Sequence, residues 1–140
     1  MNCSPSGARQ PSVNRIVIDA SVLLAVIHQE RGSEKVPPEF LTRAIISTVN
    51  LAEVQSKLVS SGWPADEAWA DTTGSVREAI PFTAEHARAA GSMIAQTRAL
   101  GLSLGDRACL ALGLALRAPV YTADRSWKSL KLGIRIHTIR

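Results

Sequence analysis

The chain of 140 residues is 46% hydrophobic, which is enough to bury one core, so a single domain is predicted. Its two cysteines are too few for a disulfide framework, and no apolar run suits a membrane span or a signal peptide, so a reducing, cytoplasmic location without membrane contact is expected. The 16 Lys and Arg residues outnumber the 12 Asp and Glu residues, and the net charge of +4 favours a polyanionic partner such as nucleic acid.

The first residues of the chain differ in composition from the rest. Residues 1–14 are mostly polar, include two prolines and contain no apolar run. Because such a segment has little apolar surface to bury, a flexible tail is predicted over residues 1–14. The folded domain is expected over residues 15–140.

From residue 15 onwards, short apolar runs alternate with helical patterns, which is the order expected of a parallel α/β sheet. Short β-branched runs are typical of strands buried on both faces. The elements predicted in the first half are, in chain order, a strand over 16–18, a helix over 22–27, a short helix start near Pro38, a strand over 44–47 and a helix over 50–59.

The second half of the chain continues this alternation. The helix that begins at Pro64 and ends at Gly74 is predicted to bury a face formed by Ala65, Ala68, Trp69 and Thr72. The helix over 103–116 is apolar almost all round, which predicts a position at the centre of the domain and makes Cys109 a small buried filler. A further helix is predicted to be capped by Thr83, to bury Ala87, Ala90 and Ile94, and to end at Gly101. The remaining predicted elements are strands over 76–82, 120–122 and 134–139.

Four acidic residues follow apolar runs at comparable positions, each near a predicted helix start: Asp19, Glu53, Asp106 and Asp124. Taken singly, each has a structural explanation. Asn50 stands three residues before Glu53, and Ser103 three residues before Asp106, which is the spacing of a capping box. The other two acids fit the N-cap position itself, since an acid is favourable at the positive end of a helix.

Taken together, the four acids predict a cation site. If the strands are parallel, their carboxyl ends meet at the edge where open α/β sheets bind ligands. Asp19 and Asp124 then stand at strand ends, Glu53 projects from the first turn of the following helix, and Asp106 returns to the same edge at the start of a later helix. Carboxylates brought that close repel one another, and a divalent cation is the usual way to offset the repulsion.

The acids lie in four recognisable segments between about Arg15 and Arg140. These segments are the strand ending in Asp19 followed by Ala-Ser, the Asn-x-x-Glu of Asn50 and Glu53, the Gly-Asp-Arg-Ala-Cys-Leu-Ala run at Asp106, and the Thr-Ala-Asp-Arg-x-Trp run around Asp124. In this order and at this chain length, they resemble a PIN domain, and more narrowly the VapC-type ribonuclease toxins of bacterial and archaeal toxin-antitoxin pairs.

The resemblance implies a fold, an activity and partners. The implied fold is a Rossmann-like three-layer α/β/α sandwich with a central, mainly parallel sheet. The implied activity is cleavage of RNA with Mg²⁺, for which Mn²⁺ can substitute. The implied partners are a cognate antitoxin, a segment of which enters the acidic site, and a second copy of the chain in a homodimer. The tail over residues 1–14 departs from the family, because such toxins commonly begin close to the first strand.

The resemblance also suggests a role for each acid. Asp19, Asp106 and Asp124 are assigned as metal ligands, direct or through water, and Glu53 as a further ligand or as the base that orients and deprotonates the attacking water. An all-carboxylate site selects hard cations, which favours Mg²⁺ or Mn²⁺ over zinc. The number of ions, one or two, stays open.

The neighbours of the acids have two readings each. Ser21, Asn50 and Thr122 can fix the orientation of the carboxylates by hydrogen bonds, or can act only as cap and turn residues. Arg125 and Lys128 can hold RNA phosphates or lie on an ordinary solvated surface.

Other function classes fit the sequence less well. A metal-dependent adhesion module requires a second serine where Leu23 stands, and a haloacid-dehalogenase-type phosphatase requires an aspartate in place of Ser21. No glycine-rich nucleotide loop is present. The alternatives that stay open are a housekeeping RNA-processing PIN nuclease and a catalytically silent, metal-dependent binding module. The RNA target is not encoded in any short motif.

Overall fold

A central parallel sheet organises the computed structural model, which describes residues 14–140. The tail predicted over residues 1–14 therefore lies almost entirely outside the described residues. The strands are β1 (Ile16–Ile18), β2 (Ala44–Ser47), β3 (Glu78–Ile80), β4 (Val120–Thr122) and β5 (Ile136–Thr138). They form a sheet in the order β3-β2-β1-β4-β5, in which every pairing is parallel. The predicted α/β fold class is confirmed.

Helices cover both faces of the sheet, because each of its central strands is apolar on both sides. The described α-helices are α1 (Ala20–Ile27), α2 (Pro38–Leu41), α3 (Thr48–Ser60), α4 (Ala65–Ser75), α5 (Ala84–Ser92), α6 (Ile94–Thr97) and α7 (Leu104–Leu116). Short 3₁₀ turns span Ser33–Lys35, Arg98–Leu100 and Arg125–Ser129. Among the described helices, none is long and apolar enough to cross a membrane.

Two hydrophobic cores lie on opposite faces of the sheet, as the alternation of side chains along a strand requires. Ile16 and Ile18 of β1 pack into the core shared with α1, α3 and α4. Val17, between them, packs into the other core with α5 and α7. The α7 segment from Ala108 to Gly113 is buried throughout, which confirms its predicted central position.

The start of α3 differs from the prediction. The helix begins at Thr48, directly after β2, and its N-cap is Ser47, whose hydroxyl accepts a hydrogen bond from the Val49 amide at 3.2 Å. Asn50 is therefore inside the helix, and the predicted capping box of Asn50 and Glu53 is wrong. The strand runs into the helix without an intervening loop, so the first polar residue of the segment provides the cap.

Three further predictions need correction. Ala65 is exposed and Trp69 is 48% exposed, although the α4 face was predicted to bury both together with Ala68 and Thr72. The helix predicted to reach Gly101 breaks at Met93, and of its predicted stripe Ala90 is buried, Ile94 half-buried and Ala87 exposed. The strand predicted over 76–82 is only Glu78–Ile80, because it lies at an edge of the sheet and pairs with β2 alone.

Candidate functional site

The topology of the sheet places a crevice beside β1. The chain proceeds from β1 to β2 and β3 on one side, whereas β4 and β5 lie on the other. Open α/β sheets bind ligands at such a switch point, outside the carboxyl ends of the strands. Asp19 directly follows β1, and Asp124 stands two residues after β4, so the two acids flank this crevice.

Asp19 is held on both carboxylate oxygens. Its Oδ1 accepts hydrogen bonds from the Ser21 hydroxyl at 2.6 Å and from the Val22 amide at 3.1 Å, so Asp19 is the N-cap of α1, as predicted. Its Oδ2 accepts a hydrogen bond from the Thr122 hydroxyl at 2.6 Å. The carboxylate therefore ties the start of α1 to the end of β4.

The two hydroxyls that donate to Asp19 also accept hydrogen bonds from the backbone after β4. The Ala123 amide donates to Ser21 Oγ at 2.9 Å, and the Asp124 amide donates to Thr122 Oγ1 at 3.1 Å. Each hydroxyl accepts one hydrogen bond from a backbone amide and donates its single proton to the Asp19 carboxylate. This arrangement fixes the orientation of the carboxylate.

Burial makes the charge of Asp19 costly. The residue is only 4% exposed. Burial, with a smaller contribution from the charge of Asp106, raises the pKa of its carboxyl from the ordinary 3.8 to about 6, against the opposing effect of the hydrogen bonds from Ser21, Thr122 and Val22. A cation beside this carboxylate would relieve both effects.

Glu53 is held by a second, separate arrangement. The buried Asn50 donates from Nδ2 to Glu53 Oε1 at 2.8 Å and to the carbonyl oxygen of Gly105 at 3.0 Å. Both amide protons are thereby used, which sets the orientation of the amide group. The Oδ1 atom of Asn50 is buried and has no hydrogen-bond partner in the described structure. Asn50 thus joins α3 to the first turn of α7 and leaves an unsatisfied acceptor beside Glu53.

Gly105 makes room for the Glu53 carboxylate. A Cβ atom at position 105 would lie 2.6 Å from Glu53 Cδ and 2.7 Å from Oε1, and would also clash with Oε2. No other residue type therefore fits while Glu53 keeps this position. Sequence analysis did not single out Gly105, although a glycine inside the first turn of a helix costs propensity and so signals a close approach.

Asp106 and Ser103 form the predicted capping box at the start of α7. The Asp106 amide donates to Ser103 Oγ at 3.1 Å, and the Ser103 amide donates to Asp106 Oδ2 at 2.9 Å. Burial raises the pKa of the Cys109 thiol, one turn further along α7, and the charges of Asp19, Asp106 and Glu53 add to the effect. Three of the four predicted acids therefore act on the same point of α7.

Asp124 directs its carboxylate into its own turn. Its Oδ1 accepts hydrogen bonds from the Ser126 amide at 2.9 Å and the Ser126 hydroxyl at 2.7 Å, which makes it the N-cap of the 3₁₀ turn Arg125–Ser129, as predicted. Asp124 is exposed, unlike Asp19. It lies at the rim of the crevice.

The chemistry of these side chains suits a hard cation. Within residues 14–140, no three His, Cys, Asp or Glu side chains stand close enough together to hold one ion in their present rotamers. Asp106 and Asp124 each use one carboxylate oxygen in a cap, which leaves the other oxygen of each for a cation. The donor set is all oxygen, Asp19 is desolvated, and Asn50 Oδ1 lacks a partner, and these features fit Mg²⁺ or Mn²⁺.

The predicted phosphate-binding residues lie next to this rim. Arg125 and Lys128 are both exposed in the 3₁₀ turn that follows Asp124. Trp127, between them, is fully buried against the core formed with α7, so it supports the turn and does not present a ring to solvent.

Comparisons with known proteins agree with this architecture. A family model described as "PIN domain" matches residues 16–132. A search of curated proteins found no match.

Several solved structures have the same fold. One is VapBC2 from Rickettsia felis bound to a DNA fragment from its promoter, with 18% identity, a TM-score of 0.68, and coverage of 88% of this chain and 97% of that chain. DNA-bound VapBC from Salmonella typhimurium has 16% identity, a TM-score of 0.69, and coverage of 90% and 98%. VapC20 from Mycobacterium tuberculosis, a sarcin-ricin loop cleaving toxin, has 18% identity, a TM-score of 0.63, and coverage of 86% and 98%. At these identities the likeness shows the fold.

Replacing Gly105 by alanine should displace Glu53 without unfolding the chain. The new methyl group meets the end of a flexible side chain, which can turn away. Alanine is the better helix former, so the free energy of unfolding should hold or rise by about 0.4–1 kcal/mol. Urea unfolding measures this, and a crystal structure should show Glu53 turned away from Asn50. Gly91→Ala in α5, where nothing lies within 4 Å, is the matched control. An unmoved Glu53 in the variant would contradict the assignment.

The raised pKa of Asp19 predicts a pH-dependent stability. Because its pKa is higher in the folded chain, folding is favoured while the carboxyl is protonated, and stability falls as the pH rises from about 4 through about 6. A rise from 3.8 to about 6 corresponds to about 3 kcal/mol. In EDTA, Asp19→Asn should therefore gain stability relative to the unsubstituted chain between pH 4 and pH 7, as urea unfolding measures. Asp71→Asn, at an exposed position of α4, is the control. Parallel pH profiles for Asp19→Asn and the unsubstituted chain would refute the cost assigned to burial.

Proposed function

The chain belongs to the PIN domain family, and from this premise we propose that it is a metal-dependent ribonuclease that acts as the toxin of a toxin-antitoxin pair. The observation that carries the proposal is the placement of three acids near the carboxyl edge of the sheet: buried Asp19 directly after β1, Glu53 against Gly105, and Asp106 beside Gly105 in the first turn of α7. Buried and half-buried like charges are retained at the crevice of the sheet, in a chain whose net charge is +4. Neighbouring like charges destabilise a fold, so stability alone would favour fewer of them. A metal-dependent phosphodiesterase site, in contrast, requires them to hold its cation.

The relatives in structure support the choice of substrate and partner. VapC20 is a toxin that cleaves the sarcin-ricin loop, and the other two structures are VapBC assemblies. We propose that this chain likewise acts on RNA, is inhibited by an antitoxin and forms a homodimer.

In the proposed mechanism, Asp19, Asp106 and Asp124 hold the cation, and Glu53 either joins them or orients the attacking water. Mg²⁺ or Mn²⁺, when bound, supplies charge for the scissile phosphate and lowers the pKa of a coordinated water. Ser21 and Thr122 keep the Asp19 carboxylate fixed through their hydrogen bonds.

The other residues act on Glu53 and on the substrate. Asn50 holds Glu53 Oε1, which leaves the remaining oxygen to accept a proton from water. Arg125 and Lys128 are exposed beside Asp124 and are proposed to hold phosphates of the RNA by charge. Such contacts position the strand without reading its bases.

The first test of this proposal is loss of nuclease activity without loss of fold. Asp106→Asn keeps the shape and the capping acceptor but removes the charge, so cleavage of single-stranded RNA in Mg²⁺ should fall by about a hundredfold or more. Gly105→Ala should also lower activity, because it moves Glu53, whereas Gly91→Ala should not. Unchanged cleavage by Asp106→Asn, with near-native unfolding, would rule out the proposed site.

The toxin assignment has its own test. Expression of the chain alone should arrest bacterial growth, and co-expression of its antitoxin should restore growth, because an arginine of the inhibitor can pair bidentately with the acids and exclude the cation. Colony counts after induction measure this, with Asp106→Asn as the harmless control. If induction is harmless while the purified protein cleaves RNA, a housekeeping RNA-processing nuclease is the correct assignment.

A further inference from the structure

A cleft between α1 and α3 leads away from the acidic site. It encloses about 620 Å³, and one of its lining residues is Ser21, whose hydroxyl donates to Asp19. α1 and α3 follow the neighbouring parallel strands β1 and β2, so both helices begin at the carboxyl edge of the sheet and run away from it side by side. Ser21 is therefore shared by the cleft and the acidic site.

The α3 wall of the cleft continues the helix face that carries Glu53. Ser56, Lys57 and Ser60 line the cleft, and they follow Glu53 by three, four and seven positions. Residues at this spacing lie on one side of an α-helix. Lys57 and both serines are exposed. The face thus changes along its length from an acid at the sheet edge to hydroxyls and a cation further away.

The α1 wall is formed by residues with the same helical spacing. Ser21, Leu24 and His28 line the cleft at intervals of three and four positions. From Ser21 to His28 the helix rises about 10 Å. Leu24 is the only large apolar residue among the described residues that line the cleft. A groove for an amphipathic helix requires a longer apolar strip than this.

The far end of the cleft carries Arg140, whose Nη1 donates to the carbonyl oxygen of Arg31 at 2.9 Å and whose ion pair with Glu30 is partly exposed. Arg140 lies 3.6 Å from Glu30, which also lies 3.8 Å from His28. The Glu30 side chain is 44% exposed, and an ion pair in such a position stabilises little, so an incoming phosphate can compete for Arg140. The cleft is therefore lined by two cationic side chains, Lys57 and Arg140, together with several serine hydroxyls. This combination matches the phosphates and ribose hydroxyls of a nucleic acid strand.

We propose that the cleft between α1 and α3 binds the single-stranded RNA next to the scissile phosphate, with phosphates at Lys57 and Arg140 and sugars along the serine hydroxyls. The proposal rests on the proposed ribonuclease function and adds the path of the substrate. It makes Lys57 and Arg140 positioning residues that lie outside the acidic site.

The test is RNA binding measured without cleavage. Fluorescence anisotropy of a labelled single-stranded oligoribonucleotide in EDTA gives the dissociation constant at several salt concentrations. Each lost phosphate contact lowers the slope of log affinity against log salt by about 0.7, so Lys57→Ala should lose about 0.7 and Lys57→Ala with Arg140→Ala about 1.4. Arg88→Ala is the matched control, because Arg88 is exposed on α5, which packs on the other face of the sheet.

The outcomes separate the two proposals. If the unsubstituted chain binds and cleaves RNA but Lys57→Ala keeps the slope of Arg88→Ala, the path along the cleft is wrong and the nuclease assignment stands. If Lys57→Ala leaves RNA binding unchanged but weakens binding of the purified antitoxin, the cleft binds a peptide and the proposal is overturned. If the unsubstituted chain neither binds nor cleaves RNA, the ribonuclease function fails, and the cleft proposal fails with it.

Discussion

The buried carboxylate of Asp19 is the constraint on which the rest of the site depends. It caps α1, accepts a hydrogen bond from the end of β4, and lies where the strand order of the sheet reverses. Two hydroxyls orient it, and each is itself fixed by a backbone amide after β4. One side chain therefore joins a helix start, a strand end and a loop. An amide at this position keeps one acceptor oxygen and replaces the other with a donor, so it disturbs one of the two hydroxyl hydrogen bonds.

A second group of side chains holds Glu53. Asn50 uses both amide protons to join Glu53 to the backbone of α7, and Gly105 leaves the space that the Glu53 carboxylate occupies. The two groups share no hydrogen bond among those described, yet the charges of both act on Cys109. The site is thus assembled from two separately hydrogen-bonded groups of side chains. In the proposed function, a cation or a cationic side chain of a partner completes it.

Retaining such a site lowers the stability of the isolated chain. Burial and like charge both raise the pKa of Asp19, so keeping this carboxyl ionised at neutral pH costs folding free energy. Active sites commonly lower the stability of a protein in this way. A ligand that binds the folded state and neutralises these charges then stabilises it by mass action. If the proposed function is correct, a ligand in the acidic crevice raises the folding stability of this chain.

Much of the fold was predictable from the sequence, because its signals are local. The β-branched run over Ile16–Ile18 fixed a strand buried on both faces, and Ser103 with Asp106 fixed the start of α7. Local signals misplaced the start of α3, since β2 runs directly into it and the cap falls on Ser47. They also misplaced Trp69, whose exposure depends on which side of α4 meets α3.

The site divides in the same way. By itself, the sequence determined which acids stand at strand ends and helix starts, because capping and chain order are properties of neighbouring residues. Only the tertiary structure decided that Gly105 must lack a side chain and that Asn50 links α3 to α7. These facts depend on contacts between segments far apart in the chain, and their distances are set by how helices pack on the sheet.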